Sequence, residues 1–353
     1  MNITNKYAFL SGFLLFWLSN ALVPAQNTDP VIKGKRGDIR IMFYNVENFF
    51  DTYDDSLTAD NEFLPESEKE WNYFRYKEKT INLFKTIAAV GEVLPPEIIC
   101  FAEIENYNVL YEIANNTPLE KYDYEIVHFD SPDIRGIDVG LLFRRNIISK
   151  LEAKRIPVLF PFNSNQTSRD ILYFKALMLK SDTVHLFVNH WPSRRGGEIL
   201  TAPYRKEVAQ ILKTRTDSIL KSNPCANIII TGDFNDEPSN ESLTEGLNAL
   251  TEIHSTTCLS LYNLSGRLQN LCKCGSYRYK SDWNMFDQFI VSGNLLTDRD
   301  GMKTCVDCLQ IAKFDFLLIE DKKYGGYKPY RTYQGPVYKG GFSDHLPVYL
   351  DLF

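Results

Sequence analysis

Several absences narrow what this chain can be. No internal repeat, low-complexity tract or Pro/Gly/Ser linker divides its 353 residues, so one main globular domain is the simplest account. Positive charge is not in surplus either. With 39 Lys and Arg against 45 Asp and Glu, the formal net charge is -6, which argues against general affinity for polyanions while leaving room for a local basic groove. An uninterrupted apolar run of the ~20 residues needed to span a bilayer is also missing. The most apolar stretch, Tyr7 to Leu18, contains Ser11 and Gly12 and runs into Ser19 and Asn20. No amphipathic helix of the membrane-docking kind is evident, and no Cys follows the apolar run as a lipid anchor would require.

What is present reads as an exported globular protein. Residues 1–25 have the form of a leader: Lys6 gives the positive end, an apolar stretch follows, and Val23-Pro24-Ala25 supplies small residues where a signal peptidase cleaves. Cleavage after Ala25 would leave residues 26–353 as the mature domain, without a stable membrane anchor, in the periplasm or outside the cell. It removes Lys6 and no acid, so the formal charge moves from -6 to -7. Five of seven cysteines crowd into the last third: Cys258, Cys272, Cys274, Cys305 and Cys308. Export favours disulfides among them, and a four-thiolate zinc site from Cys272, Cys274, Cys305 and Cys308 is the alternative. Cys100, inside an apolar strand, reads as a buried free thiol.

The composition, 44% hydrophobic and 13% aromatic with 20 Tyr and 23 Phe, suits a β-rich α/β protein. Apolar runs and alternations predict strands at Ile39–Tyr44, Glu97–Ala102, Tyr124–Phe129, Val139–Phe143, Ile171–Leu179, Val184–Asn189, Asn227–Thr231, Phe286–Ser292 and Pro347–Leu352. Helical spacing of Ile81, Phe84, Ile87 and Ala88 predicts a helix over Asn72–Val90. A second is predicted from Pro203, placed in its first turn, to about Leu220, burying Tyr204, Val208, Ile211, Leu212 and Ile219.

Polar residues recur at the ends of these strands, where loops present chemistry on a rigid scaffold. Ile41-Met-Phe-Tyr-Asn45-Val-Glu47 delivers an amide and an acid; alone, such an Asn is better explained as a turn cap. Ile98-Ile-Cys-Phe-Ala-Glu103-Ile-Glu105-Asn106 ends a hydrophobic run in carboxylates, the oxygen donors a hard cation such as Mg²⁺ prefers. His190-Trp-Pro-Ser193-Arg194-Arg195-Gly-Gly gathers an imidazole, a hydroxyl and guanidinium forks suited to phosphate. In Ile228-Ile-Ile-Thr-Gly232-Asp233-Phe-Asn235 a buried strand meets a tight turn, with Asp233 able to take a proton from water and Asn235 able to hold that water or the phosphate. Asp287 starts one strand, and Ser343-Asp344-His345 precedes the last; an Asp paired with a His fixes the tautomer and supports the cation.

The order Asn45, Glu103, His190, Gly232-Asp233-X-Asn235, Asp287, Ser343-Asp344-His345 resembles the endonuclease/exonuclease/phosphatase superfamily, which includes pancreatic-type deoxyribonuclease, abasic-site endonucleases, neutral sphingomyelinases and inositol-phosphate phosphatases. Arg135-Gly-Ile-Asp138-Val adds to the likeness, which runs from about Ile39 to Leu352. It implies a four-layer α/β sandwich, two face-to-face mixed β-sheets flanked by helices. It also implies that Glu103, helped by Asn45 and Asp344, holds Mg²⁺ or Mn²⁺. Asp233 would activate the attacking water with Asn235, and His345, steadied by Asp287, would meet the phosphoryl oxygens. His190 would stand near the leaving group, and Arg135, with Ser193 and Arg194, would contact substrate phosphate. Glu105 departs from the pattern and leaves a second cation or a structural hydrogen bond open.

The expected activity is therefore metal-dependent hydrolysis of a phosphodiester, with DNA or RNA as the favoured substrate. A phosphomonoesterase or lipid phosphodiesterase would use the same centre, and a non-catalytic binding protein could keep the scaffold. Gly275-Ser-Tyr-Arg278-Tyr-Lys280 and Pro329-Tyr-Arg331-Thr-Tyr-Gln-Gly335 interleave bases with aromatics, as a nucleic-acid groove or solvated Tyr-rich β packing would.

Overall fold

The apolar alternations fold into two large sheets in the computed structural model, which describes residues 36–178, 182–253, 256–297 and 301–353. These residues fall in one compact unit; the expected leader at 1–25, and Leu179 of one predicted strand, lie outside them. The strands are β1 (Ile39–Phe49), β2 (Ile98–Ile104), β3 (Tyr124–His128), β4 (Asp138–Arg144), β5 (Ser149–Ile156), β6 (Ile171–Met178), β7 (Asp182–His190), β8 (Asn227–Asp233), β9 (Ala249–Leu250), β10 (Leu261–Asn263), β11 (Tyr277–Tyr279), β12 (Asp282–Asn284), β13 (Asp287–Ser292), β14 (Leu309–Ile311), β15 (Leu318–Glu320), β16 (Tyr327–Pro329), β17 (Tyr333–Gln334), β18 (Val337–Tyr338) and β19 (Val348–Leu352). The α-helices are α1 (Tyr73–Gly91), α2 (Tyr107–Asn115), α3 (Glu198–Ser222) and α4 (Leu264–Cys272).

One sheet runs β14-β19-β1-β2-β4-β3 and the other β5-β6-β7-β8-β13-β10-β9. Because side chains alternate across a strand, each sheet offers two apolar faces. Ile41, Phe43, Cys100 and Leu141 of the first meet Phe174, Leu186, Val188, Ile229 and Phe289 of the second in the central core. The opposite face of the first, with Met42, Tyr44, Ile99 and Phe101, is covered by α1 and α2 through Leu83, Ile87, Val109 and Ile113. The outer face of the second, with Ile228, Ile230 and Phe187, is covered by α3 through Val208 and Leu212. Helix, sheet, sheet, helix is the expected four-layer sandwich, each fully buried aliphatic side chain contributing about 1.5–3 kcal/mol.

Some local expectations are corrected. In α1 the buried stripe is Leu83, Ile87 and Val90 with Tyr76, whereas Ile81 is 61% exposed, so the apolar face is rotated from the one read off the sequence. Lys79 lies on the buried side. Helix α3 begins at Glu198, five residues before Pro203, which therefore sits inside the helix. Its ring removes one backbone donor, and Arg205 reaches back from the next turn to the carbonyl of Glu198, 3.3 Å. Asn106 turns out to cap α2, its oxygen accepting from the backbone of Asn108 and Val109. Among the described residues no helix is long and apolar enough to cross a membrane. Cys272 is bonded to Cys274 and Cys305 to Cys308, which removes those four sulfurs from any zinc site; Cys100 is a buried free thiol.

Candidate active site

Strand direction explains why distant segments meet. β1 and β2 are parallel neighbours in one sheet, and β7 and β8 are parallel neighbours in the other, so their carboxyl ends lie at common edges. Asn45, Glu103, His190 and Asp233 sit at those ends. β13 runs antiparallel to β8 and therefore brings its first residue there, Asp287 opposite Asp233. β19 runs antiparallel to β1, so the segment just before it, Ser343-Asp344-His345, arrives at the same edge. The hydrogen bond from Asn45 Nδ2 to Asp233 Oδ2, 3.0 Å, joins one sheet to the other.

The backbone is bent to aim these groups. The β1–β2 and β2–β4 ladders both slip around Glu103, and Glu103 itself has φ +62°, an uncommon conformation for a non-glycine residue. Glu47 and Asn48 are also left-handed, and Asn48 N donates to Glu103 Oε2 at 2.9 Å. Asn45 Nδ2 reaches Glu103 Oε1 at 3.2 Å. Gly232, at φ +155°, lies so close to β7 that a Cβ would collide with the backbone oxygen of Asn189.

A cleft of about 570 Å³ opens over this edge, lined by Glu103, Arg135, His190, Ser193, Arg194, Asp233, Asn235, Asp344 and His345 among others. His345 Nδ1 is 2.6 Å from Asp287 Oδ2, and its Nε2 is 3.8 Å from Asp233 Oδ2. Burial works against a charged imidazole here, but Asp287 and Asp233 outweigh it and raise His345 well above its ordinary value. Burial pushes the Asp233 carboxyl up to about 7; His345 pulls it down and Asp287 pushes it further up. Bound positive charge at Glu103 would lower it again. His190 shifts in the opposite direction from His345. Burial, then Arg169 and Arg135, drive it well below its ordinary value, leaving a neutral ring whose Nε2 stands 3.8 Å from Glu103 and 3.7 Å from Asp233.

Other expected groups are placed less simply. Arg194 lines the cleft, yet its guanidinium is engaged by the Asn235 carbonyl at 2.8 Å, Asp236 at 3.0 Å, Asn240 at 2.8 Å and Glu198 at 2.9 Å, so it braces the Gly-Asp-Phe-Asn turn rather than facing a phosphate unencumbered. Asn235 donates through Nδ2 to Trp191 O and through its backbone to Asp233 Oδ1. Arg135 pairs through Nε with Asp133, which Arg169 also holds. Asp138 steadies that loop, accepting from Ser131 N and contacting His128. Ser193 is an exposed part of the wall. Glu105 takes the structural course: buried, raised to about 8 by burial and accepting from Asp51 N at 2.7 Å.

The donor set fits a hard divalent cation. Glu103 and Asp344 bring carboxylates to the cleft, and among the described residues no sulfur lines it. The Asn45 oxygen accepts from Glu47 N, 3.0 Å, and keeps a second lone pair that a cation could use. Sequence reading named Glu47 and Arg331 without joining them to Asp344, and it missed Lys79. Arg331 bridges Glu47 at 2.9 Å and Asp344 at 3.1 Å, while buried Lys79 donates to Thr332 Oγ1 at 2.6 Å. Burial pulls Lys79 down to about 8 against the raising effect of Glu47 and Asp344. Tyr277, read from sequence only within an aromatic–basic segment, stands beside the catalytic pair, its ring 4.8 Å from that of His345.

With this geometry in hand, comparisons with known proteins add context. A model of the Endonuclease/Exonuclease/phosphatase family matches residues 40–353. A search of curated proteins matches none of them. Among solved structures, D. rerio TDP2 complexed with single strand DNA product aligns at 15% identity and TM-score 0.53, covering 89% of this chain and 98% of that one. The human Nocturnin catalytic domain with bound sulfate anion aligns at 16% and 0.51, covering 89% and 94%. An endonuclease/exonuclease/phosphatase protein from Bacteroides vulgatus aligns at 14% and 0.51, covering 89% and 98%. At such identities the likeness speaks to the fold.

Proposed function

The chain belongs to the endonuclease/exonuclease/phosphatase family, and from that premise we propose that it is an exported, divalent-metal-dependent phosphodiesterase acting on DNA or RNA. The observation that carries this reading is the meeting of Asn45, Glu103, His190, Asp233, Asp287 and His345 at one edge shared by both sheets. Single-strand DNA product in one structural neighbour and sulfate in another are consistent with an anionic phosphoester ligand.

Glu103 and Asp344, with Asn45 beside them, would hold Mg²⁺ or Mn²⁺, whose bound charge offsets that of the phosphoryl oxygens. Asp233, kept in place by Asn45 Nδ2 and Asn235 N, accepts the proton of the attacking water. The water oxygen bonds to phosphorus as the bond to the leaving oxygen breaks in line with it. His345, cationic through its contact with Asp287, donates to a phosphoryl oxygen and so stabilises charge that develops there. Neutral His190 offers an N–H on the side of the leaving group, and Arg135 meets a substrate phosphate at the rim.

Plasmid DNA, RNA, bis(p-nitrophenyl) phosphate and sphingomyelin, each assayed with Mg²⁺ and with EDTA, test the proposal. Nucleic-acid hydrolysis lost in EDTA is the expected result. Preference for sphingomyelin would reassign the chain to lipid phosphodiesters, and hydrolysis of none would leave a binding protein. Asp233→Asn and His345→Ala should each lower turnover by a factor on the order of 10²–10⁴ with little change in melting temperature; near-normal rates would exclude these roles.

A further inference from the structure

Beside the catalytic cleft lies a second one of about 260 Å³, and the two share Tyr277 and Asp344 as wall residues. Its sides are two hairpins, β11–β12 and β15–β16. Arg278 ties them together by donating from the first to the carbonyl oxygens of Tyr327 and Gly325 in the second, the latter at 2.6 Å. The walls are thus fixed relative to each other.

The charge in this second cleft runs against the rest of the protein. Six cationic side chains line it, Arg278, Lys280, Lys323, Lys328, Arg331 and Lys339, against two carboxylates, in a chain of formal net charge -6. Both carboxylates are already engaged: Asp321 lies 3.5 Å from Lys328 and accepts from the backbone of Lys323 and Tyr324, and Asp344 pairs with Arg331. Among the described residues, Lys280, Lys323 and Lys339 have no carboxylate within ion-pair distance. Three uncompensated ammonium groups in one concavity repel one another, which a purely structural surface has no reason to collect.

Aromatic exposure is the second observation. Tyr324, in the second cleft, is 41% exposed and Tyr279, on the adjoining wall of the catalytic cleft, is 58% exposed, with Lys323 and Lys280 lying 5.0 and 5.2 Å from their respective ring centres. These rings are not sequestered in β packing, so flat apolar faces stand open beside cations. That pairing suits a ligand with alternating phosphates and planar bases. The concave form, adjoining the catalytic cleft through the shared Tyr277 and Asp344, suits a strand better than a flat membrane surface.

Resting on the phosphodiesterase reading, we propose that this second cleft is a subsite for the nucleic-acid strand as it leaves the catalytic cleft. Lys280, Lys323 and Lys339 meet phosphates flanking the scissile one, and Tyr279 and Tyr324 stack on bases. The preferred substrate is then a single strand of several nucleotides.

The test uses the full chain and the triple variant Lys280→Ala/Lys323→Ala/Lys339→Ala, with a fluorescent single-stranded DNA decamer and bis(p-nitrophenyl) phosphate, which carries no flanking phosphates for the three lysines to meet. The ratio of kcat/KM on the decamer to that on the small ester should fall on the order of tenfold to a hundredfold in the variant. In anisotropy titrations between 50 and 200 mM salt, the slope of log affinity against log salt should shrink by about 2, the value for three single-strand phosphate contacts. Tyr279→Ala/Tyr324→Ala should weaken decamer binding on the order of tenfold or more while leaving that slope unchanged. An unchanged ratio and slope in the lysine variant would overturn the proposal, as would loss of binding to anionic vesicles with decamer binding intact. A wild-type chain that cleaves neither substrate would refute the catalytic reading instead, and the titrations would still judge the cleft.

Discussion

Replacing Asp287 by Asn isolates the electrostatic part of the candidate mechanism. The side chains are nearly isosteric, and Asp287 is fully buried with its backbone N–H held by Ser276 Oγ at 3.1 Å, so the substitution changes charge more than shape. What it removes is the anionic acceptor 2.6 Å from His345 Nδ1. A hydrogen bond between charged partners contributes about 1.5–3 kcal/mol, against about 1 for a neutral pair. If that difference of about 0.5–2 kcal/mol is felt in the transition state, the rate falls about twofold to thirtyfold, each 1.36 kcal/mol being a factor of ten. A larger loss follows from the charge state. His345 is cationic because Asp287 and Asp233 outweigh burial, and with Asp287 neutral, burial gains the upper hand. The imidazole then loses its proton at lower pH, and the alkaline limb of the kcat/KM profile moves down. Together the effects should reach a factor on the order of 10³–10⁴ near neutral pH, with part of it regained on acidification. The assay is kcat/KM on bis(p-nitrophenyl) phosphate across pH, with NMR of ¹⁵N-labelled imidazole to follow His345. A variant within about threefold of wild type, or one whose imidazole titrates as before, would refute the reasoning.

Glu103→Gln should weaken Mg²⁺ or Mn²⁺ binding by more than the ~10–100-fold typical of a residue behind the ligands; calorimetric affinity equal to wild type would remove Glu103 from the metal site. Gly232→Ala places a Cβ against Asn189 O at φ +155° and should cost about 2–4 kcal/mol in urea unfolding, mostly from overpacking between β7 and β8; an unchanged midpoint would mean that the strands separate freely there. His185 is lowered to about 4 by burial and then Lys175, with Tyr173 Oη 2.7 Å from Nδ1. Its folded value lies below the unfolded one, so the stability it contributes is full above pH ~6.5 and is lost as pH falls toward 4. Because the ring is partly exposed, about 1–2 kcal/mol is expected. His185→Gln should therefore gain on wild type at pH 5 relative to pH 8, and equal shifts at both would contradict the lowered, neutral imidazole.

The sequence exposed the site more readily than the packing around it. Runs such as Ile98–Ala102 and Asn227–Thr231 are long and β-favouring, and the acids that follow them have no place in a core, so both strand and site residue could be read together. Strand β5 escaped because its exposed Lys150, Glu152 and Lys154 mark a charged sheet edge with no apolar face to betray it. The true face of α1 was hidden by Ile81, apolar but outward, and by Lys79, charged but inward. A lysine in a helix is by default solvated, and only the tertiary proximity of Thr332, Phe342 and Glu47 gives Lys79 a reason to be buried. Arg194 shows the opposite error: its residue type suits phosphate, but its neighbours in space take up its donors.

Chain direction accounts for the pattern of these residues. Acids or imidazoles stand at the carboxyl ends of β2, β7 and β8, and at or just before the amino ends of β13 and β19. Parallel pairing of β1 with β2 and of β7 with β8 sends the first set to a common edge, and antiparallel pairing of β13 and β19 returns the second set to it. Two facing sheets then need one cross-link, which the contact of Asn45 with both Glu103 and Asp233 supplies. An Asn at that junction can satisfy two carboxylates through a single amide nitrogen; an Asp there would set a third negative charge against them. Asn45→Asp should therefore raise the Asp233 carboxyl further and harm turnover at neutral pH more than it harms folding. A kcat/KM profile unchanged by that substitution would show that charge at position 45 does not act on Asp233.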